Sequence, residues 1–222
     1  MIRSATGIEI PQTLGEWCHP AHMALLVYDM QVGVCRQIPD ALAVIQRVGT
    51  VLDAARRSGM RIAFTRHISL PSKWLGMTQL RTTMAWQKTA DPDHVDSWFP
   101  REAQATEIVS LLAPRSDEAV FDKITMSAFD STPLALALRD AGIRAIAIAG
   151  IAMEIGIEPT VRQATDNGFG AVVIEDACGF GNREARDRSF ATLGYVGEAV
   201  VTQSADFCAA LAPGREGGRV SD

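Results

Sequence analysis

Apolar residues along this chain fall into two patterns that take turns. MALLVYD (residues 23–29), RIAFTR (61–66), EAVFDKIT (118–125), RAIAIAG (144–150), GAVVIEDA (170–177) and EAVVTQ (198–203) are short apolar runs, which predict strands, several of them buried on both faces. Between them PDALAVIQRVGTVLDAARRSG (39–59) spaces its apolar residues as a helix does, with Gly59 placed as C-cap and a core-facing stripe through ALAVIQRVGTVL. Further helices are predicted over REAQATEIVSLL (101–112), over STPLALALRDAG (131–142) with Ser131 as N-cap and Pro133 in the first turn, over 154–167, and over REARDRSFATLG (183–194). Six strand and helix alternations predict an α/β fold: an open parallel sheet with helices on both faces.

The rest of the chain reads as connections. Residues 1–21 form a polar, Pro-containing arm, and PGREGGRVSD after about 212 reads as a frayed tail. The segment 67–100 is a long connection carrying Trp74, Trp86, Trp98 and Phe99. Loops of that length are usually functional or disordered, and tryptophan argues against disorder, so a lid or subunit contact is expected. At 222 residues the whole chain, 1–222, suits one core.

Charge and composition narrow the partners. The net charge of −5 is mild and no lysine- or arginine-rich run occurs, so a small-molecule substrate is expected and nucleic acid is not. Apolar stretches such as AIAIAGIAM fall well short of the ~20 residues a membrane span needs. Cys18, Cys35, Cys178 and Cys208 lack CxxC spacing and no basic-then-apolar signal opens the chain, which points to free thiols and the cytoplasm. ACGFGN has G-x-G spacing but no third glycine and no later acid, so no dinucleotide cofactor is expected.

Ligands of open α/β sheets bind at the carboxyl ends of the strands, which singles out Asp29, His67, Lys123, the turn after Gly150, and Asp176 with Cys178. Taken singly, Asp29 reads as a strand-end acid and Lys123 as a surface lysine. Together, VYDMQ, FDKITMSAF and GIAMEIGIEPTVRQA, in that order, resemble the three signatures of the isochorismatase-like hydrolases, also called cysteine hydrolases, over most of residues 22–207.

The resemblance implies a six-stranded parallel sheet in the order 3-2-1-4-5-6, a homo-oligomer, and a triad of aspartate, lysine and nucleophilic cysteine. Asp29 and Lys123 fall on the first two; the cysteine's position holds Gly156, although glycine costs about 1 kcal/mol relative to Ala inside a helix. A thiolate there attacks a carbonyl, which glycine cannot do. Isochorismatases proper also resemble this arrangement: the aspartate protonates a vinyl ether and water attacks the resulting cation. Lys123 would hold the substrate's carboxylate or balance Asp29, and the Gly156 N–H would keep the helix start's affinity for anions.

The same resemblance makes Gln31, His67, Arg81, Trp86, Ile151, Ala152 and Glu154 candidate substrate contacts, with a cis peptide at Ile151–Ala152. Arg81 and Trp86 also read as lid packing, and Glu154 as an acid favoured in a first helical turn. This chain departs from its relatives in the VGVC after Gln31 and in Ala152, where isochorismatases carry an aromatic. Related nicotinamidases bind a metal through an acid and several histidines; only His67 and distant His94 are available here, so no metal is expected. The expectation is a hydrolase of a small anionic metabolite working by acid/base catalysis through Asp29 and Lys123. Alternatives are a catalytically silent metabolite binder or assembly protein on the same fold, and an amidase using Cys178 or activated water.

Overall fold

The computed structural model describes residues 1–212. The expected tail PGREGGRVSD therefore lies outside the described residues. The arm is ordered into an antiparallel pair, β1 (Ile2–Arg3) and β2 (Glu9–Ile10), and a one-turn helix, α1 (Leu14–Trp17), started by a capping box between Thr13 and Glu16.

Then come β3 (Met23–Tyr28), α2 (Val32–Cys35), α3 (Ala41–Arg57), β4 (Arg61–His67), α4 (Met77–Gln87) and β5 (Ala119–Lys123). The second half holds α5 (Leu134–Asp140), β6 (Ala145–Gly150), a π-helical turn Met153–Ile157 leading into α6 (Glu158–Asp166), β7 (Gly170–Cys178), α7 (Arg183–Val196), β8 (Val200–Thr202) and α8 (Ser204–Ala210). Six strands form one sheet in the order β5-β4-β3-β6-β7-β8, every neighbouring pair parallel. Counted within this sheet alone, that is 3-2-1-4-5-6.

The alternation of side chains along β3 sorts the core into two layers. Met23, Leu25 and Val27 face α3 and α8, meeting Val48, Val51, Leu52 and Phe207. Ala24, Leu26 and Tyr28 face the other layer, with Leu134 and Leu138 of α5, Val161 and Ala164 of α6, and Leu193 of α7. The same period of two turns Tyr28, the last strand residue, toward the start of α6.

Several expected elements are corrected. Residues 101–112 make no α-helix, only the 3₁₀ turns Gln104–Thr106 and Ser110–Leu112. Between those turns the backbone is extended and pairs with residues 30–32, just past β3: the Val32 N–H donates to the Glu107 carbonyl and the Val109 N–H to the Met30 carbonyl, both at 2.9 Å. A tertiary ladder overrides the segment's helical composition. Ser131 does not cap α5; it has φ 56°, and Thr132 Oγ1 instead accepts from the Leu134 N–H. The long connection 67–100 holds a three-turn helix, α4, no residue of which is fully buried. Residues 154–157 turn with π rather than α spacing. No helix among the described residues is long and apolar enough to cross a membrane.

Candidate active site

The chain reverses its direction of strand addition between β3 and β6, and a cavity of about 490 Å³ opens at the carboxyl ends of the strands there. Its floor is made by Tyr28 and Asp29, and its walls by His67, Trp98, Phe99, Met126, Ile155 and Gly156, with Lys88 also on its lining. A second chamber of about 530 Å³ adjoins it, sharing His67, Trp86, Trp98 and Phe99 and running beneath α4 past Thr78, Gln79, Thr82 and Thr83.

Asp29 leaves β3 in a left-handed conformation, φ 45°, which aims its carboxylate across the strand ends. Oδ2 accepts a hydrogen bond from Lys123 Nζ at 2.6 Å and Oδ1 one from Thr65 Oγ1 at 2.5 Å. Both charged residues are buried. Lys123 Nζ also donates to the Thr125 carbonyl at 3.2 Å and sits 4.4 Å from the centre of the Tyr28 ring, a cation–π distance. The ammonium thus has three partners, and the carboxylate keeps an edge toward the cavity.

Tyr28 donates from its hydroxyl to the Met126 carbonyl. Burial, reinforced by the neighbouring Asp29 charge, holds its phenol well above the usual range, so it stays protonated. His67 ends β4 directly opposite Lys123 of β5 in register. Burial and then the Lys123 charge depress its pKa, with Asp29 opposing, so the ring is neutral at neutral pH. Its edge meets Phe99 at a centroid distance of 5.8 Å.

The turn after β6 is shaped by two glycines. Gly150 has φ 141°, and a Cβ there would reach 2.8 Å from the Tyr28 backbone nitrogen, so the chain crosses β3 only with glycine. The Ile151–Ala152 peptide is cis. In the π turn, the N–H groups of Gly156 and Ile157 both donate to the Ala152 carbonyl, at 3.0 and 3.1 Å. The Gly156 amide expected to receive an anion is therefore already taken. Thr160 Oγ1 fixes the turn by donating to the Gly156 carbonyl at 2.6 Å while accepting from the Ala128 N–H at 3.0 Å.

The other candidates divide. Ile151, Ala152, Trp86 and His67 line the cavity with Asp29 and Gly156. Gln31 does not: its buried side chain amide donates to the carbonyls of His67 (2.9 Å) and Thr106 (3.2 Å) and accepts from the His67 N–H (2.7 Å), tying three segments together. Arg81 lies on the exposed side of α4, whereas Thr78, Gln79, Thr82, Thr83 and Trp86 of the same helix line the adjoining chamber. Glu154 Oε1 accepts from the N–H groups of Gly181 and Asn182, each at 2.8 Å, holding the entry to α7 rather than a water in the cavity. Asp176 accepts from Ser204 N and Oγ and caps α8, because β7 continues two residues past it. Cys178 is buried, its thiol pushed up to about 12 by that burial.

Sequence reasoning missed Thr65, Tyr28, Lys88 and Met126. Thr65 carried a signal, as the one hydroxyl in the otherwise apolar centre of RIAFTR; the others did not. No cluster of three or more His, Cys, Asp or Glu able to hold a metal occurs among the described residues.

A parallel, doubly wound sheet with a buried acid–lysine pair at its switch point defines a class of small-molecule α/β enzymes. The isochorismatase domain family matches residues 23–206, and the chain belongs to that family as one of its hydrolases. It is 28% identical over 183 residues to the phenazine biosynthesis protein PhzD1 of Pseudomonas aeruginosa, covering 78% of this chain and 79% of that protein. The ureidoacrylate amidohydrolase RutB of an Enterobacter species is 26% identical over 211 residues, covering 87% and 91%. Among solved structures, a cysteine hydrolase from Pseudomonas syringae superposes with a TM-score of 0.74 over 86% of this chain and 93% of that one, at 22% identity, a likeness of fold.

Proposed function

We propose that this hydrolase acts on a small anionic metabolite by non-covalent acid/base catalysis, Asp29 working with Lys123, because Gly156 stands where cysteine hydrolases carry their nucleophile. The observation that carries this reading is Asp29 on the floor of a cavity whose described lining contains no cysteine, with Lys123 buried behind it at 2.6 Å.

A vinyl ether suits this equipment. Asp29 delivers a proton to the enol ether carbon, water adds to the resulting cation, and the hemiketal collapses to a ketone and an alcohol. Lys123 Nζ, hydrogen-bonded to Oδ2, holds the carboxyl group in place, and the proton released by the attacking water replaces the one Asp29 has given up. Neutral His67 is placed to accept a proton from the attacking water. Trp98 and Phe99 offer a flat, apolar wall for an unsaturated or ring-bearing substrate, and Lys88 is the cation that meets its carboxylate.

An amidase mechanism through Cys178 is disfavoured by that thiol's burial and its pKa of about 12. Exposed Trp74, just before α4, and Met77, its first residue, support a homo-oligomer joined through this segment, which light scattering on the purified protein tests. Function is tested by mass-spectrometric turnover of a panel of isochorismate and other enol ethers, small amides and ureides. The reading expects enol ether cleavage that is lost in D29N and unaffected by thiol alkylation. Amide turnover abolished by alkylation overturns it, and ligand binding without turnover of any compound favours a silent binder.

A further inference from the structure

The space above Gly156 is not vacant. A Cβ built on that residue would come within 2.6 Å of Tyr28 Cε1, and closer still to the Tyr28 hydroxyl oxygen. Real side chains do not approach so closely, and the tyrosine cannot swing aside without losing its bond to the Met126 carbonyl and its contact with Lys123 Nζ. The ring also belongs to the packed layer that contains Met153 and Ile157, so it is held among buried neighbours. The backbone under Gly156 is equally fixed, by the bonds from Gly156 and Ile157 to the Ala152 carbonyl and by Thr160.

We infer that Tyr28 is the specificity-determining residue of this site: it plugs the place of a thiol nucleophile beside Asp29 and Lys123, and so holds the enzyme to chemistry without a covalent intermediate. The inference rests on the reading of Gly156 as the nucleophile's position. It makes residues 28 and 156 a complementary pair, large with none, and predicts that a thiol nucleophile at 156 is possible only when residue 28 is small. Tyr28 also positions Lys123 through its ring face. A cysteine introduced at 156 alone would therefore not restore the chemistry of the cysteine hydrolases.

The experiment uses the full chain carrying C208S, because Cys208 is the half-exposed thiol whereas Cys18, Cys35 and Cys178 are buried. G156C, Y28A/G156C and Y28F/G156C are each placed on that background and treated with iodoacetamide, in which a thiolate displaces iodide from carbon. Intact-mass spectrometry counts the adducts. Y28A/G156C is expected to take up one adduct at residue 156 while the C208S parent takes none in the same time, and Y28F/G156C to stay unlabelled because the ring alone fills the space. Rapid labelling of G156C with Tyr28 in place, or of Y28F/G156C, overturns the inference, as does a folded Y28A/G156C that resists alkylation.

Thermal melting of G156A, which needs no change at Tyr28, keeps the inference testable if Y28A/G156C fails to fold. A large drop in melting temperature, or failure to accumulate folded protein, is expected; a midpoint equal to the parent's overturns the plug. Neither readout requires a substrate. Failure of the acid/base reading in turnover assays would leave both unmoved, and failure of the plug would leave the D29N result unmoved.

Discussion

Removing the cation from the buried pair makes the sharpest test of the site's energetics. In K123M the stem of the side chain is retained in roughly its own volume and the ammonium is lost. The lysine side chain is 0% exposed and that of Asp29 8%. At 2.6 Å the gross attraction is about 6 kcal/mol for an effective dielectric of 20. Desolvation of the two ions offsets most of that, so the pair's net contribution is small. Breaking it is another matter, because K123M leaves the Asp29 carboxylate with Thr65 Oγ1 as its remaining side-chain donor. Such an uncompensated charge costs ~3 kcal/mol or somewhat more, which for a chain of 222 residues is a fall of about 6–12 °C in melting temperature. D29N/K123M removes both charges, keeps an acceptor for Thr65, and should recover most of the loss. Urea denaturation of wild type, both single variants and the double variant at pH 7 gives the coupling energy. Additivity of the two single effects to within ~0.5 kcal/mol would refute the reasoning, since it means the two charges do not sense each other.

Three further outcomes are expected. His67, with its pKa depressed by burial, binds protons less readily folded than unfolded; its contribution is therefore complete above the ordinary 6.5 and is lost as pH falls below it, and thermal melts should decline less steeply from pH 7 to 5 in H67Q. Q31L leaves the His67 N–H and the carbonyls of His67 and Thr106 without their partner and should lower the unfolding free energy in urea by at least ~3 kcal/mol. G150A, which forces a Cβ against the β3 backbone at a φ of 141°, should yield little folded protein by circular dichroism; a native-like melt would contradict the tight crossing of the two strands.

What could be read from the sequence follows the range of the forces involved. The runs that became β3, β4, β6 and β7 declare themselves because strands buried on both faces must be continuously apolar, and the polar residues ending β3 and β5 supply Asp29 and Lys123. The false helix at 101–112 fails because a ladder to residues 30–32, some seventy positions away, decides its backbone. Helix α4 was hidden for the opposite reason: TQLRTTMAWQ has no apolar stripe to announce it and buries none of its residues fully. Gln31 sits in a recognisable motif, yet its side chain ties backbone segments rather than facing the cavity, a distinction only geometry makes. The fit of Tyr28 into the space above Gly156 joins residues on different elements, and no local pattern encodes it.

The strand order also shapes how the chain is made. β3 sits at the sheet's centre between β4 and β6, and its fully buried MALLVY segment is synthesised early, whereas the β6 partner at 145–150 emerges more than a hundred residues later. Parallel pairings of such long separation form slowly. During translation one long edge of β3 stays open on an apolar strand, a natural target for holdase chaperones and the surface through which truncated products would aggregate. Ribosomes paused before codon 145 should therefore carry nascent chains that are chaperone-bound, and those paused well beyond codon 150 should release them.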